Sequence, residues 1–436
     1  MIRDALLAIG VIFASFTQLR FFDAPLGFGE LFLVAWLGLT LGRSMSSLNA
    51  PFPPALLRLA VFWILLAGSL CVGTMTAFVV GERNSTTDFV HDATAYTLMA
   101  ALSLLAVAQA GAAPRMRKAA WLVVLFGSGC LAAQLAQAFG IFTISGVDVW
   151  FWDRLIGWST NANQLGLLCL ILALLSFHLA ETATGPGTGL AALACVILPV
   201  WAGYLTRSDA FLLALVFGLL GFAGLKFWRM IDAHQRLGPV PAAAAIMAVV
   251  ALPALLAASS PLAYVLAVEK IAERAEEARG EGGLERDVGY RTELWGQAID
   301  RGVESGMLGL GPGPHLKRPA DLREPQLDAL PNFEAHNTVV DLFLQGGLLA
   351  VASLLWLGAT TLLTTLKEKL NVFPILLISV GGFALTHFVI RHPIVWFVIA
   401  FGLVAKSSRR SDSGPAGMLD TRMATTRVGP VVEGRV

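Results

Sequence analysis

Apolar residues run through this chain in long unbroken stretches, separated by short clusters of charge, glycine and proline. Many of these stretches reach the roughly 18 residues that a helix needs to cross about 30 Å of hydrocarbon at about 1.5 Å per residue. Alternation with period two is absent, so the stretches read as helices and not as barrel strands. The pattern predicts twelve spans, at about residues 5–19, 26–41, 55–80, 89–110, 119–142, 163–179, 190–205, 210–227, 240–263, 339–363, 372–388 and 393–404. The expected fold class is therefore all-α, a polytopic membrane protein. Residues 1–263 carry the first nine spans, 264–335 form one long connection, 336–405 carry the last three spans, and 406–436 form a tail.

The charges between the spans orient them, because Lys and Arg favour the cytoplasmic side of short loops. Arg3, Arg43 with Arg58, Arg115 to Lys118, Lys226 to Arg236, Lys367 with Lys369, and Lys406 with Arg409 fall on one side. The tight link near Glu181 belongs to that side without adding positive charge. Acidic or mixed connections fall on the other: Asp23 with Glu30, residues 81–92, 145–161 and 206–209. Both termini are expected in the cytoplasm, with the first span retained and not cleaved as a signal peptide. The tail after Lys406 has no periodic apolar pattern and is expected to be disordered.

The connection 264–335 is the outlier in length, and a segment of that size with its own helices is more often functional than a linker. Its first part, VEKIAERAEEARGEGG, reads as a charged helix ended by glycines. Its second part places Leu294, Trp295, Ala298, Ile299 and Val303 on one stripe of an amphipathic helix, suited to docking on protein or lipid headgroups. A tight GLGPGPHLKRP loop follows. Its glycines could form an anion nest, but no P-loop lysine and serine follow, and Gly-Pro repeats usually make a rigid turn.

Composition agrees with a membrane protein: of 436 residues, 56% are hydrophobic and 14% charged, with a mean hydropathy of +0.70. The net charge of +1 says nothing about partners, and no nucleic-acid partner is expected. Cys71, Cys130, Cys169 and Cys195 lie in apolar stretches without metal-ligand spacing and read as small core residues. No carboxylate cluster resembles a divalent-cation site, and no cofactor is implied. The middles of the spans are nearly free of ionisable groups, which disfavours an ion-coupled transporter. A polysaccharide exporter or lipid-linked glycan flippase, the alternative from another class, would need such groups along its path.

Ionisable residues gather instead at the expected outer ends of the spans: Arg207, Arg291, His336, and the group His387, Arg391 and His392. A ring of guanidinium and imidazole groups there suits a ligand with an anionic head and a lipid tail, since the arginine fork grips phosphate oxygens in a bidentate manner. Each has a plainer reading. His336 can simply flank a helix that Asn337 caps. Arg207 can anchor at the interface. Arg291 can pair with Glu293 on its own helix. Lys317 and Arg318 read most simply as a solvated basic loop, and Trp150, Phe151, Trp152 and Trp158 as an interfacial aromatic belt, with sugar stacking as the other role.

Four stretches together resemble the O-antigen ligase and O-antigen polymerase superfamily of GT-C type membrane glycosyltransferases. They are HNTVVDLFLQGGLLA from His336, RTELWGQAIDRGVESGMLGLGPG from Arg291, TRSDAFLLAL around Arg207 and STNANQLGLL around Asn161. Gln345, Ala350 and Thr206 depart from the residues common in that family. The resemblance implies that His336 is the catalytic histidine and that Arg207 and Arg291 hold a pyrophosphate, with Asn337, Arg391, His387, Lys317 and Arg318 as secondary candidates. It further implies a polyprenyl-pyrophosphate-linked glycan donor, a glycan, lipid A core or other sugar acceptor, contact with membrane lipids, and metal-independent inverting transfer at the periplasmic face of a bacterial inner membrane.

Overall fold

A computed structural model describes residues 2–21, 27–44, 52–81, 85–109, 111–233, 283–317 and 333–406. The expected span 240–263, most of the charged segment 268–283, Arg318 and the tail beyond 406 lie outside the described residues. The described chain is mostly helical. Its helices are α1 (Ile2–Phe13), α2 (Phe28–Ser44), α3 (Pro54–Val80), α4 (Thr86–Ala108), α5 (Ala112–Ala138), α6 (Ala162–Glu181), α7 (Pro186–Leu205) and α8 (Asp209–Ala233). After them come α9 (Gly283–Glu304), α10 (Thr338–Lys367), α11 (Val372–Ala384) and α12 (Pro393–Val404). A small hairpin between α5 and α6 pairs β1 (Trp150–Phe151) antiparallel with β2 (Arg154–Leu155). Among the described residues seven helices, α3 to α8 and α10, are long and apolar enough to cross a membrane. The helix of the first expected span stops at Phe13, because the chain turns aside through a short 3-10 stretch at Thr17–Leu19. There Gln18 Nε2 donates to the carbonyls of Asp148 (2.7 Å) and Ser159 (2.7 Å) and fastens the 145–161 connection to the end of α1.

Contacts sort the connections into two ends. At one, Arg3 reaches Gln109 (3.2 Å), Lys118 reaches Asp4 (4.0 Å), Arg58 reaches Thr364 (2.6 Å) and Lys226 reaches Glu181 (3.1 Å). Glu181 also accepts the backbone N–H of Val372 (2.9 Å), so the acid in the charge-poor link caps the start of α11. The hairpin, the α7–α8 turn, the start of α10 and the α11–α12 turn meet at the opposite end, as the site below describes.

α10 is not the uninterrupted span that its composition suggests. Gly347 (φ 65°, ψ −162°) breaks it, in a region of backbone space that only glycine enters at low cost. A break inside hydrocarbon must have its backbone groups satisfied by protein, and the loop after α9 does this. Leu310 N–H donates to Leu344 O (2.8 Å), Gly311 N–H to Gln345 O (2.8 Å), and Leu348 N–H to Met307 O (3.1 Å). These bonds replace the helical rungs lost at the kink. The insertion is tight: a Cβ on Gly347 would lie 2.0 Å from Met307 O, and one on Gly73 of α3 2.4 Å from Gln345 O. The amides of residues 310 and 311 are thus spent on carbonyls, so the GLG turn is a plug and not the anion nest that its glycines allowed.

Three other expectations need correction. Leu294 and Ala298 of α9 are fully buried with Ala77, Leu310, Leu316, Ala335 and Leu344, whereas Ile299 and Val303 are 49% and 56% exposed; the stripe divides because the inserted loop fills only its inner side. Trp158 is buried, edge-on to Phe16 (5.3 Å), with its indole N–H on Gln137 Oε1 (2.8 Å), so it is a core residue, while Phe151 and Trp152 are exposed at the hairpin tip. Cys71 is exposed, whereas Cys130 and Cys169 are buried.

Replacing Gly347 with alanine forces a Cβ onto Met307 O and should lower the melting temperature of the detergent-solubilised protein by several degrees. Gly358→Ala, with open space around it, should leave it nearly unchanged; equal melting of both variants would contradict the role given to the break.

Candidate active site

The residue in the centre is His336, a non-glycine residue in left-handed backbone (φ 53°), a conformation that costs of order 1–3 kcal/mol unless its surroundings impose it. The surroundings do. The buried carboxyl group of Asp341, one turn into α10, accepts the N–H of Ala335 on Oδ1 (2.7 Å) and the N–H of Asn337 on Oδ2 (3.1 Å). The two amides flanking His336 are therefore pinned to one side chain. Asn337 Oδ1 accepts Val339 N–H (3.0 Å) and Val340 N–H (3.3 Å) and caps the helix, typically worth about 1 kcal/mol. The segment E-A-H-N-T-V-V-D folds so because Asn and Asp can both take orphan amides at a helix start, which leaves the imidazole half-buried at the mouth.

Two neighbours hold this turn in place. Trp295 of α9 donates its indole N–H to Ala335 O (2.9 Å), and Arg291, one turn earlier on α9, donates to Thr386 O (3.5 Å). Glu293, the expected partner of Arg291, accepts from Gln297 (3.2 Å). Thr338 Oγ1 donates to His387 O (2.7 Å) and accepts Val389 N–H (2.9 Å), stapling the start of α10 to the α11–α12 turn. Phe333 pairs with Leu316 through two backbone bonds, so the inserted loop and the His336 turn form one body.

His387 stands on that turn with its ring tilted on Phe383 (4.8 Å) and Nδ1 beside Thr386 Oγ1 (3.0 Å). Burial drives its pKa down to about 3, helped by the positive charges of Arg291, His336, His392 and Arg154, so it is neutral at physiological pH. Burial, with Arg391 and Arg20, likewise lowers His392 to about 4. Arg154, from the hairpin, donates through Nε to Thr206 O (3.2 Å) and through Nη2 to Asn163 Oδ1 (3.1 Å). It thereby ties the TRSD turn and the start of α6 to the neighbourhood of His387.

Arg207 sits in that TRSD turn. Like His336 it is left-handed (φ 48°). Thr206 and Ser208 on either side are buried and turn inward, with Thr206 Oγ1 on Gly203 O (2.6 Å), and Arg207 is left exposed, paired with Asp153 of the hairpin. Arg391 is committed differently: one nitrogen pairs with Asp92 and the other with Glu334, and its guanidinium lies over the Phe388 ring (4.7 Å). Its pKa is raised above the ordinary arginine value, the two acids overcoming the effect of burial. Lys317 is exposed, its backbone N–H on Gln297 Oε1 (3.3 Å), and Arg318 lies outside the described residues. Among the described residues no group of three or more His, Cys, Asp or Glu is placed to hold a metal ion.

The stretch from α7 to the middle of α10 decides the relationship, for residues 194–355 match the family model described as O-antigen ligase. Over that stretch the chain is similar to the O-antigen ligase family. No curated protein matches it. The part matched to the O-antigen ligase family contains Arg207, Arg291, His336, Asp341 and Gly347, whereas Arg154, His387 and Arg391 lie outside it. Sequence reasoning overlooked Arg154 and Asp341, and read Trp295 as part of an apolar stripe without its hydrogen bond to Ala335 O. The spacing of Asp341 from His336 was a signal, since a carboxyl group in the first turn can reach back to the cap; nothing local marked Arg154.

Substituting Asp341 by asparagine leaves one side-chain oxygen where two are needed, a loss of roughly 1–3 kcal/mol. Amide exchange in the peptide covering 335–337 should then rise roughly ten- to hundredfold, with 350–367 unaffected. Unchanged exchange at 335–337 would contradict the clamp.

Proposed function

We propose that this chain is a glycosyltransferase that moves a glycan from polyprenyl pyrophosphate to a sugar hydroxyl at the periplasmic face of a bacterial inner membrane, as a ligase or polymerase of surface polysaccharide. The observation that carries the reading is that two guanidinium groups, Arg291 and Arg154, act with the same sign on half-buried, neutral His387, beside the His336 imidazole. Gathering like charges costs stability, and an anion held among them offsets that cost. A pyrophosphate at the ends of membrane helices fits that sign, and the similarity of residues 194–355 to the O-antigen ligase family supports a lipid-linked glycan as donor.

The chemistry follows from the donor. Its leaving group already departs well, so the protein must neutralise charge growing on the pyrophosphate as the glycosidic bond breaks. Preorganised guanidinium groups do this in a dry site. Arg291 takes that role from α9, and Arg207 from its exposed turn by exchanging Asp153 for phosphate oxygens. The acceptor hydroxyl must lose its proton as it attacks the anomeric carbon. His336 is the general base, a role suited to imidazole, and such a base contributes roughly 100- to 10,000-fold in rate. A single displacement inverts the anomeric centre. No metal enters the scheme.

With membranes containing lipid-linked donor, His336→Ala should lose transfer by roughly 100-fold or more, and Arg291→Lys, which keeps charge but loses the fork, by about tenfold. Chelators should have no effect. Near-normal transfer by His336→Ala, or abolition by chelators, would refute this scheme. A flippase would release no free polyprenyl pyrophosphate, whereas the transferase releases one per glycan moved. In a deletion strain, core-only lipid A with accumulated carrier-linked polymer identifies a ligase, and core capped by a single repeat a polymerase.

A further inference from the structure

A cavity of about 1010 Å³ lies between α4, the end of α1 and the α11–α12 turn. It is at the upper end of the range for small-ligand pockets, roughly 300–1,000 Å³, and admits more than one sugar ring. Neither Arg207, Arg291 nor His336 lines it, but Glu334, two residues before His336, does. Its electrostatics are opposite to those around His387. Four acids, Glu30, Asp88, Asp92 and Glu334, line it with two guanidinium groups, and both of these are already held by acids: Arg20 by Glu30 (3.6 Å), Arg391 by Asp92 and Glu334. Its two imidazoles are those of His91 and His392, and burial keeps the second neutral.

Such a wall repels phosphate. It presents instead carboxylate oxygens and the hydroxyls of Thr17, Thr86, Thr87 and Thr94, which together accept from and donate to hydroxyl groups, beside the apolar surfaces of Phe388 and Met99. Asp92, only 1% exposed, has one oxygen, Oδ2, without a hydrogen-bond partner among the described residues. Burying such an acceptor is costly unless something donates to it.

We propose that this cavity binds the acceptor, as a neutral polyhydroxylated glycan whose reacting end emerges at Glu334 beside His336. The assignment rests on the transferase reading. Charge then divides the two substrates: the anionic donor meets the arginines, and the neutral acceptor meets the acids.

The test uses the full-length protein in membranes, carrier-linked glycan extracted from the source organism as donor, and neutral oligosaccharides released by mild acid from its surface glycan as acceptor. Thr94→Trp, which fills the cavity, should raise the apparent KM for acceptor by about tenfold or more while the donor KM stays within about twofold. Gly358→Ala, outside the cavity and with open space around it, should match wild type. Asp88→Asn gives the same readout without added bulk, should the tryptophan variant fail to fold. An unchanged acceptor KM in Thr94→Trp and Asp88→Asn, or donor and acceptor KM rising together, overturns the cavity assignment and leaves the transferase intact. Absence of transfer by wild type overturns both.

Discussion

The site depends on one carboxyl group. Asp341 takes the amides on both sides of His336, and with them fixed the residue between must turn left-handed and present its ring outward from the start of α10. The remaining contacts build on that turn. Trp295 can dock α9 on Ala335 O because that carbonyl is held still, and Arg291, one turn away on the same helix, is brought to Thr386 as a result. Thr338 binds the α11–α12 turn, and with it His387, to the same point.

A second constraint comes from the membrane. Breaking α10 at Gly347 would strand backbone groups where water cannot reach them, and the loop of residues 307–311 supplies their partners. The loop continues to Leu316, which pairs with Phe333 just before the His336 turn. The plug in the helix break and the turn carrying the imidazole are thus parts of one closed circuit, in which a shift of the loop moves the site. Glycine at 347 and at 73 is the condition for the loop to approach closely enough.

Much of this was legible in the sequence, for identifiable reasons. Apolar runs longer than a bilayer mark their own helices, and among the described residues the seven helices long and apolar enough to span fall where the apolar pattern put them. The His-Asn pair advertised a helix mouth, and the Arg-x-x-x-Trp spacing put both side chains on one face of α9. What could not be read are contacts between residues far apart in the chain. Arg154 lies in a connection whose aromatics drew attention, and its tie to Thr206 exists only once α6 and α7 are paired. Arg391 looked like a phosphate ligand in isolation, because Asp92, its partner, is almost 300 residues away. The break in α10 was concealed by a composition that stays apolar straight through it.

Arg291 and Arg154 act on His387, whereas Glu334, two residues before His336, lines the acid-rich cavity with Asp92, and the proposed division of the two substrates rests on this contrast. The most direct measurement is a structure of the protein in lipid with polyprenyl pyrophosphate bound. Phosphate density within hydrogen-bonding reach of Arg291, on the face shared with His336 and His387, is the result expected. Density against Asp92 and Glu334 in the cavity, or at the opposite end beside Lys226 and Arg229, would contradict it.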